Sequence, residues 1–113
     1  PVNYRQGAGE IALVIDDSTP KAFIYDAEFG ELSGGALDLC ESKPAIKIVV
    51  GADDAAPAGQ VRYADYVADQ PENDPPIDFD PHIYDETTRL YTSGTTNRPK
   101  GVPINRCFPR MTL

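Results

Sequence analysis

Cysteine, histidine, cations and long apolar runs are all scarce in this sequence, and each shortage closes off a class of chemistry. The only cysteines, Cys40 and Cys107, have no metal-ligand spacing and predict reduced thiols rather than a zinc site or a disulfide framework. The single histidine, His82, sits in an acidic, proline-rich stretch with no second histidine near it, so it reads as a solvated side chain. No apolar run exceeds Ile11 to Ile15, far short of the roughly 20 residues that span a bilayer, and no basic-then-apolar leader opens the chain. Ten Lys and Arg against eighteen Asp and Glu give a formal charge of −8, so a general nucleic-acid or anionic-membrane surface would oppose the molecule's own field. A soluble, cytoplasmic protein is expected, with no nucleic-acid partner and no membrane span. The chain opens on "PVNYRQGAGE" without an initiator methionine, which predicts an excerpt of something longer or a processed product.

The 113 residues, 41% of them hydrophobic, suffice for one modest core and exclude two domains. "GEIALVIDDSTPK" puts Ile11, Val14 and Ile15 on one helical face, and the cluster from Asp17 to Pro20 then stops the helix. "KAFIYD" and "AIKIVVG" are compact β-branched or aromatic runs that end at Asp26 and Gly51, the pattern of buried parallel strands handing over to loops. Between them Phe29, Leu32, Ala36, Leu37 and Cys40 recur at helical spacing, although Gly34 and Gly35 each cost a helix roughly 1 kcal/mol relative to alanine. The order helix, strand, helix, strand predicts an α/β fold: a partial parallel sheet covered by helices on both faces. That layer is expected to fill residues 1–69, with "VRYADYVADQ" a short helix or docking segment on which Tyr63 and Tyr66 pack three apart.

Residues 70–87 form a proline-rich acidic connector. "PENDPPIDFDPHIYDE" carries four prolines and six carboxylates in sixteen residues, which removes backbone donors and sets like charges against one another. The pairs Asp16 with Asp17 and Asp53 with Asp54 read as capping and solubility groups at a helix end and in a loop. From 88 to 105 strand-like flanks "TRLYTSG" and "GVPIN" enclose a hydroxyl-rich turn, so the chain is expected to end in a strand-loop-strand hairpin. An irregular tail, 106–113, follows, where Pro109 would interrupt a helix.

The turn, "YTSGTTNRPKGV", has a composition suited to polyphosphate. Backbone amides of a flexible loop can converge on anionic oxygens, and Gly94 allows close approach. Thr92, Ser93, Thr95 and Thr96 add hydroxyl donors, and Arg98 and Lys100 add charge. Asn97 suits a position with positive φ, and Pro99 stiffens the exit. By composition alone the same string also suits an ordinary polar hairpin turn. It does not fit G-x-x-x-x-G-K-[ST], since the lysine follows Pro99 and precedes Gly101.

The string closely resembles the phosphate-binding signature of the adenylate-forming (AMP-binding) superfamily, which includes acyl-CoA synthetases. The usual form is Y-T-S-G-T-T-G-x-P-K-G-V, and eleven of twelve positions agree or fall where it is free, the exception being Asn97. "PVNYR" followed by "GEIALVIDDSTPKAFIYD" also resembles that family's approach to the motif. The resemblance implies a partial N-terminal adenylation subdomain, 1–113, of an ATP-dependent acyl-CoA synthetase or a close relative, with ATP, Mg2+ and coenzyme A used by the parent enzyme and a carboxylic acid as substrate. Carried over by position, Thr92, Ser93, Gly94, Thr95, Thr96 and Asn97 would wrap the β- and γ-phosphates and Lys100 would offset their charge. The family's adenine and acyl pockets and its catalytic lysine come later in the chain, so this piece alone is expected to be inactive, with no catalytic or metal-ligating residue of its own. A stand-alone α/β interaction module without catalysis is the alternative reading.

Overall fold

In the computed structural model, residues 1–52, 55–68, 70–74, 76, 82–92 and 98–105 are described. Helix α1 (Ala8–Ser18) leads to strand β1 (Ala22–Asp26), a 3-10 turn (Ala27–Phe29), helix α2 (Gly30–Leu39) and strand β2 (Ile46–Val50). A two-residue strand β3 (Val61–Arg62) runs into helix α3 (Tyr63–Ala68), and strands β4 (Glu86–Thr92) and β5 (Lys100–Asn105) complete the elements among the described residues. The first three strands form a parallel sheet in the order β1-β2-β3, and the last two form a separate antiparallel pair. The expected α/β architecture with a parallel sheet and flanking helices is present.

Helix α1 buries Ile11, Ala12, Val14 and Ile15, the face anticipated from spacing with Ala12 added. At its start the Gly7 amide donates to Glu10 Oε2 at 2.9 Å, which satisfies one of the free amides of the first turn and sets an acid at the positive end of the helix dipole. At its end Thr19 adopts the left-handed conformation, with φ 42° and ψ 56°, and its amide donates to Ile15 O at 2.8 Å. The left-handed turn and Pro20 together end the helix.

Asp26 begins the crossover to α2 by accepting from the Glu28 amide at 2.9 Å. The core then forms between the two helices, from Ile11, Ala12 and Ile15 on α1 and Ala36, Leu37 and Cys40 on and after α2, with Ala8, Phe23 and Leu32 packed against it. Gly35 of α2 lies where the helices meet: a Cβ there would sit 3.4 Å from the Ala8 Cβ, in van der Waals contact. Cys40 is a free, buried thiol, whereas Cys107 lies outside the described residues.

In the sheet, Ile24 pairs with Ile48 and Tyr25 with Val49. The Tyr25 hydroxyl donates to Gln60 Oε1 at 2.6 Å and so ties the loop before β3 to the first strand. Coverage of the sheet is less complete than expected: Ile24 stays 55% exposed, beside a groove of about 630 Å3 that Val2, Phe29 and Thr88 help to line. Strand β3 was not anticipated, because two residues carry no readable period. Helix α3 falls where a short helix was expected, but the packing is a correction: it buries none of its six residues, and Tyr63 and Tyr66 are exposed rather than packed. What starts α3 is polar: Arg62 makes two 2.7 Å hydrogen bonds to Asp65, and these hold the Asp65 carboxyl below its ordinary range.

The second pair has the register Thr88↔Ile104, Arg89↔Pro103, Leu90↔Val102, Tyr91↔Gly101 and Thr92↔Lys100. Strand β4 begins at Glu86, two residues before the flank that starts at Thr88, and the extra residues join through an irregularity between Glu86 and Thr88. Pro103 is tolerated because each strand of a two-stranded pair has an edge that needs no donor.

Removing buried volume between the helices should be costly. Ile15→Ala, at a side chain only 1% exposed, is expected to lower unfolding free energy by about 2–5 kcal/mol in chemical denaturation, whereas Leu39→Ala, at 62% exposure, should change it by no more than about 0.5 kcal/mol.

Candidate functional site

The hydroxyl-rich loop is carried by the β4–β5 pair. Of the seven residues expected to form the site, Ser93, Gly94, Thr95, Thr96 and Asn97 lie outside the described residues, and Thr92 and Lys100 lie within them. The register sets Thr92 directly opposite Lys100 where the strands close on the loop. Partners in such a pair share a face, with Cβ atoms about 4.5–5.5 Å apart, so the side chains of Thr92 and Lys100 leave the same face at the loop's base. Lys100 forms no ion pair among the described residues, where the salt bridges are Arg62 to Asp65 and Arg89 to Glu86.

Side chains alternate along a strand, so the neighbours Tyr91 and Gly101 fall on the opposite face from Thr92 and Lys100. Tyr91 turns back to α1, and its hydroxyl donates to Asp17 Oδ2 at 2.6 Å across 74 residues of sequence. Burial raises the Tyr91 hydroxyl above its ordinary pKa near 10, and the hydrogen bond to Asp17 with that carboxylate's charge raises it further. Arg89, on the same face, makes two 2.7 Å bonds to Glu86, which hold the Glu86 carboxyl below its ordinary range.

Gly101 is the hinge of this packing. A Cβ there would meet Arg89 Cδ at 2.9 Å and the Tyr91 ring at 3.2 Å. The motif's second glycine therefore makes room for two side chains that lie across β5. Beyond the loop, Arg98 and Pro99 line a recess of about 300 Å3 with Leu13, Asp16, Asp17 and Glu41. Both flanks of the loop thus return to the C-terminal end of α1.

This assigns the acid pair differently from its sequence reading. Asp16 Oδ1 accepts from the Ser42 amide at 2.7 Å and Asp17 takes Tyr91, so neither is a simple cap or solubility group. The partners lie 26 and 74 residues away, beyond any local spacing rule. The acids' place at a helix stop was visible; their partners were not. His82 is exposed, as expected, and serves a turn: its amide donates to Asp85 Oδ2 at 2.7 Å and its Nδ1 accepts from the Tyr84 amide at 3.3 Å. Among the described residues no group of three or more His, Cys, Asp or Glu could hold a metal ion, so the magnesium expected to accompany ATP has no protein ligand set among them. No helix among them is long and apolar enough to cross a membrane.

Adding one methyl at Gly101 should disturb the pair: Gly101→Ala is expected to destabilise by about 1–3 kcal/mol in denaturant titration, because Arg89 is pinned by Glu86 and Tyr91 by Asp17. Tyr91 offers a second check, through the pH dependence of its ring-carbon NMR shift. A hydroxyl whose folded pKa is raised contributes stability that is complete below its unfolded value, near 10, and lost as pH rises through the folded one. The Tyr91 titration is expected above 10 and, in Asp17→Asn, should move part of the way back, burial being the larger cause.

Three comparisons with known proteins bear on this geometry. The chain is 32% identical over 103 residues to the 3-oxocholest-4-en-26-oate–CoA ligase of Rhodococcus rhodochrous, a match that covers 89% of this chain and 18% of that enzyme. It is 31% identical over 120 residues to the acetate–CoA ligase CCL3 of Humulus lupulus, covering 92% of this chain and 21% of the enzyme. The fold superposes on the crystal structure of the anthranilate CoA ligase AuaEII in complex with anthranoyl-AMP with a TM-score of 0.81, at 22% identity, over 98% of this chain and 20% of that one. The chain thus spans about a fifth of the length of the relatives it matches. The family model described as AMP-binding enzyme matches residues 1–106, and the chain belongs to that family.

Proposed function

We propose that this chain is part of an ATP-dependent, acyl-AMP-forming ligase, most simply a fatty-acid or other acyl-CoA synthetase, and that its β4–β5 hairpin serves the pyrophosphate leaving group. The observation that carries the reading is the pairing of Thr92 with Lys100 at the base of the loop in a chain of the AMP-binding family. In the reaction a carboxylate oxygen attacks the α-phosphorus of ATP, the bond from that phosphorus to the bridging oxygen breaks, and pyrophosphate departs with the electron pair. The acyl-adenylate then passes its acyl group to a thiol, coenzyme A in this reading, and releases AMP.

The hairpin's task would be electrostatic. Amides and hydroxyls from Thr92 to Thr96 would meet the β- and γ-phosphate oxygens with donors already in place, and Lys100 would offset charge that grows on the leaving group. Neither step asks for a covalent bond to the protein. Asn97 adds a side chain where the family's signature keeps backbone alone, which narrows the loop's freedom. Magnesium would come with the nucleotide. Turnover belongs to the parent ligase rather than to this piece, which corresponds to about a fifth of such an enzyme. The relatives are named for a steroid acid, acetate and anthranilate, and this reading leaves selection of the acyl group to the rest of the parent ligase.

The test separates the two half-reactions in the parent ligase. Thr95→Ala and Lys100→Ala should each slow adenylate formation by about 10²–10³-fold, followed by pyrophosphate exchange, and leave thioester formation from supplied acyl-adenylate within about twofold of wild type. Equal slowing of both halves would show that the loop does not act on the departing diphosphate.

A further inference from the structure

We propose that Asp17 is a positioning residue for the phosphate loop: through the Tyr91 hydroxyl it fixes the loop's leading strand to the C-terminal end of α1. This rests on the reading of the loop given above and goes beyond it, because Asp17 touches no phosphate and lies far outside the motif in sequence.

The geometry has four parts. First, the hairpin has little burial to orient it: every position of β4 is exposed except Tyr91, which is half-buried. Second, the anchor point is rigid. Ile15 is in the core, and Asp16 is held by the Ser42 amide at 2.7 Å, so the last turn of α1 is fixed on both sides. Third, strand alternation couples the faces. With Tyr91 and Gly101 turned toward α1, Thr92 and Lys100 must point the other way, so the 2.6 Å bond from Tyr91 to Asp17 determines where the first loop hydroxyl and the ammonium are aimed. Fourth, the trailing flank meets the same helix end, where Arg98 and Pro99 share a recess with Asp16, Asp17 and Glu41. A five-residue span, 93–97, is therefore bracketed by two returns to one acidic helix terminus.

The consequence is kinetic. A loop is an effective cradle only if its ends are held, and a hydrogen bond to a carboxylate is among the stronger single contacts available to hold one. Loss of the tether should lower the fraction of time for which the donors converge and so act on adenylation alone.

The experiment uses the parent ligase with Tyr91→Phe, Asp17→Ala, Asp17→Asn and the double variant Tyr91→Phe/Asp17→Ala. Tyr91→Phe and Asp17→Ala are each expected to reduce kcat/KM for ATP in adenylate formation about tenfold, equivalent to roughly 1.4 kcal/mol. The double variant should fall no further than either single change. Asp17→Asn, which keeps an acceptor oxygen, should retain most of the activity, and thioester formation from supplied acyl-adenylate should stay within about twofold throughout. A merely structural contact would depress both half-reactions together, and that result, additive losses, or unchanged adenylation in Tyr91→Phe would overturn the proposal. Lys100→Ala in the same assay keeps the two ideas apart: if it impairs adenylation while Tyr91→Phe does not, the tether alone is refuted; if it leaves ATP use intact, the phosphate reading itself fails.

Discussion

The packing of α1 against α2 is the contact on which the rest of this structure depends. It supplies the core, through Ile11, Ala12 and Ile15 on one side and Ala36 and Leu37 on the other, with Gly35 facing Ala8 where the helices meet. It also does something that burial alone would not. By immobilising α1 it fixes a helix end that carries two adjacent carboxylates, one bonded to the loop after α2 and the other to the hairpin. An apolar face and a polar terminus of the same eleven-residue helix thus couple the folded layer to the candidate site.

That coupling matters because the hairpin cannot orient itself. Two strands isolated from a larger sheet are marginal in water, and here β4 and β5 leave Leu90 and Val102 exposed. The ion pair of Arg89 with Glu86 is solvent-exposed, and such pairs are screened by water and contribute little. A short bond from a half-buried phenol to a carboxylate on a rigid helix end is a better device, since it fixes direction as well as distance. The hairpin holds its shape by backbone pairing and takes its direction from Tyr91.

Much of this was legible in the sequence, for physical reasons that also explain the misses. Ile11, Val14 and Ile15 repeat at the helical period, and the β-branched runs around Ile24 and Ile48 lie between turn residues, so α1, α2, β1 and β2 could be placed from pattern alone. Strand β3 could not, since two residues define no period, and its place beside β2 is set by pairing with Ile48 and Val49. The spacing of Tyr63 and Tyr66 pointed to packing, yet a six-residue helix on the surface presents both to solvent. Asp16 and Asp17 looked like local caps because local rules see only neighbours. Their partners are brought by tertiary folding. The phosphate signature was readable by its resemblance, and Gly101 within it needed coordinates to be understood as a packing glycine.

The period-two alternation of strands divides the motif's residues between two tasks. On the face toward α1 stand Tyr91 and Gly101, one bonded to Asp17 and the other without a side chain so that the first can lie across it. On the opposite face stand Thr92 and Lys100, paired at the base of the loop, with no ion pair to draw the ammonium away among the described residues. Consecutive letters of one string therefore answer to different physics. Tyr91 and Gly101 are constrained by packing and a hydrogen bond within the protein, whereas Thr92 and Lys100 meet no such demand among the described residues, which suits the role proposed for them above. On the proposed reading, a motif written across a strand pair mixes scaffold and site at alternate positions, and taking it as one contiguous binding loop would credit a ligand with Tyr91 and Gly101, which the fold itself requires.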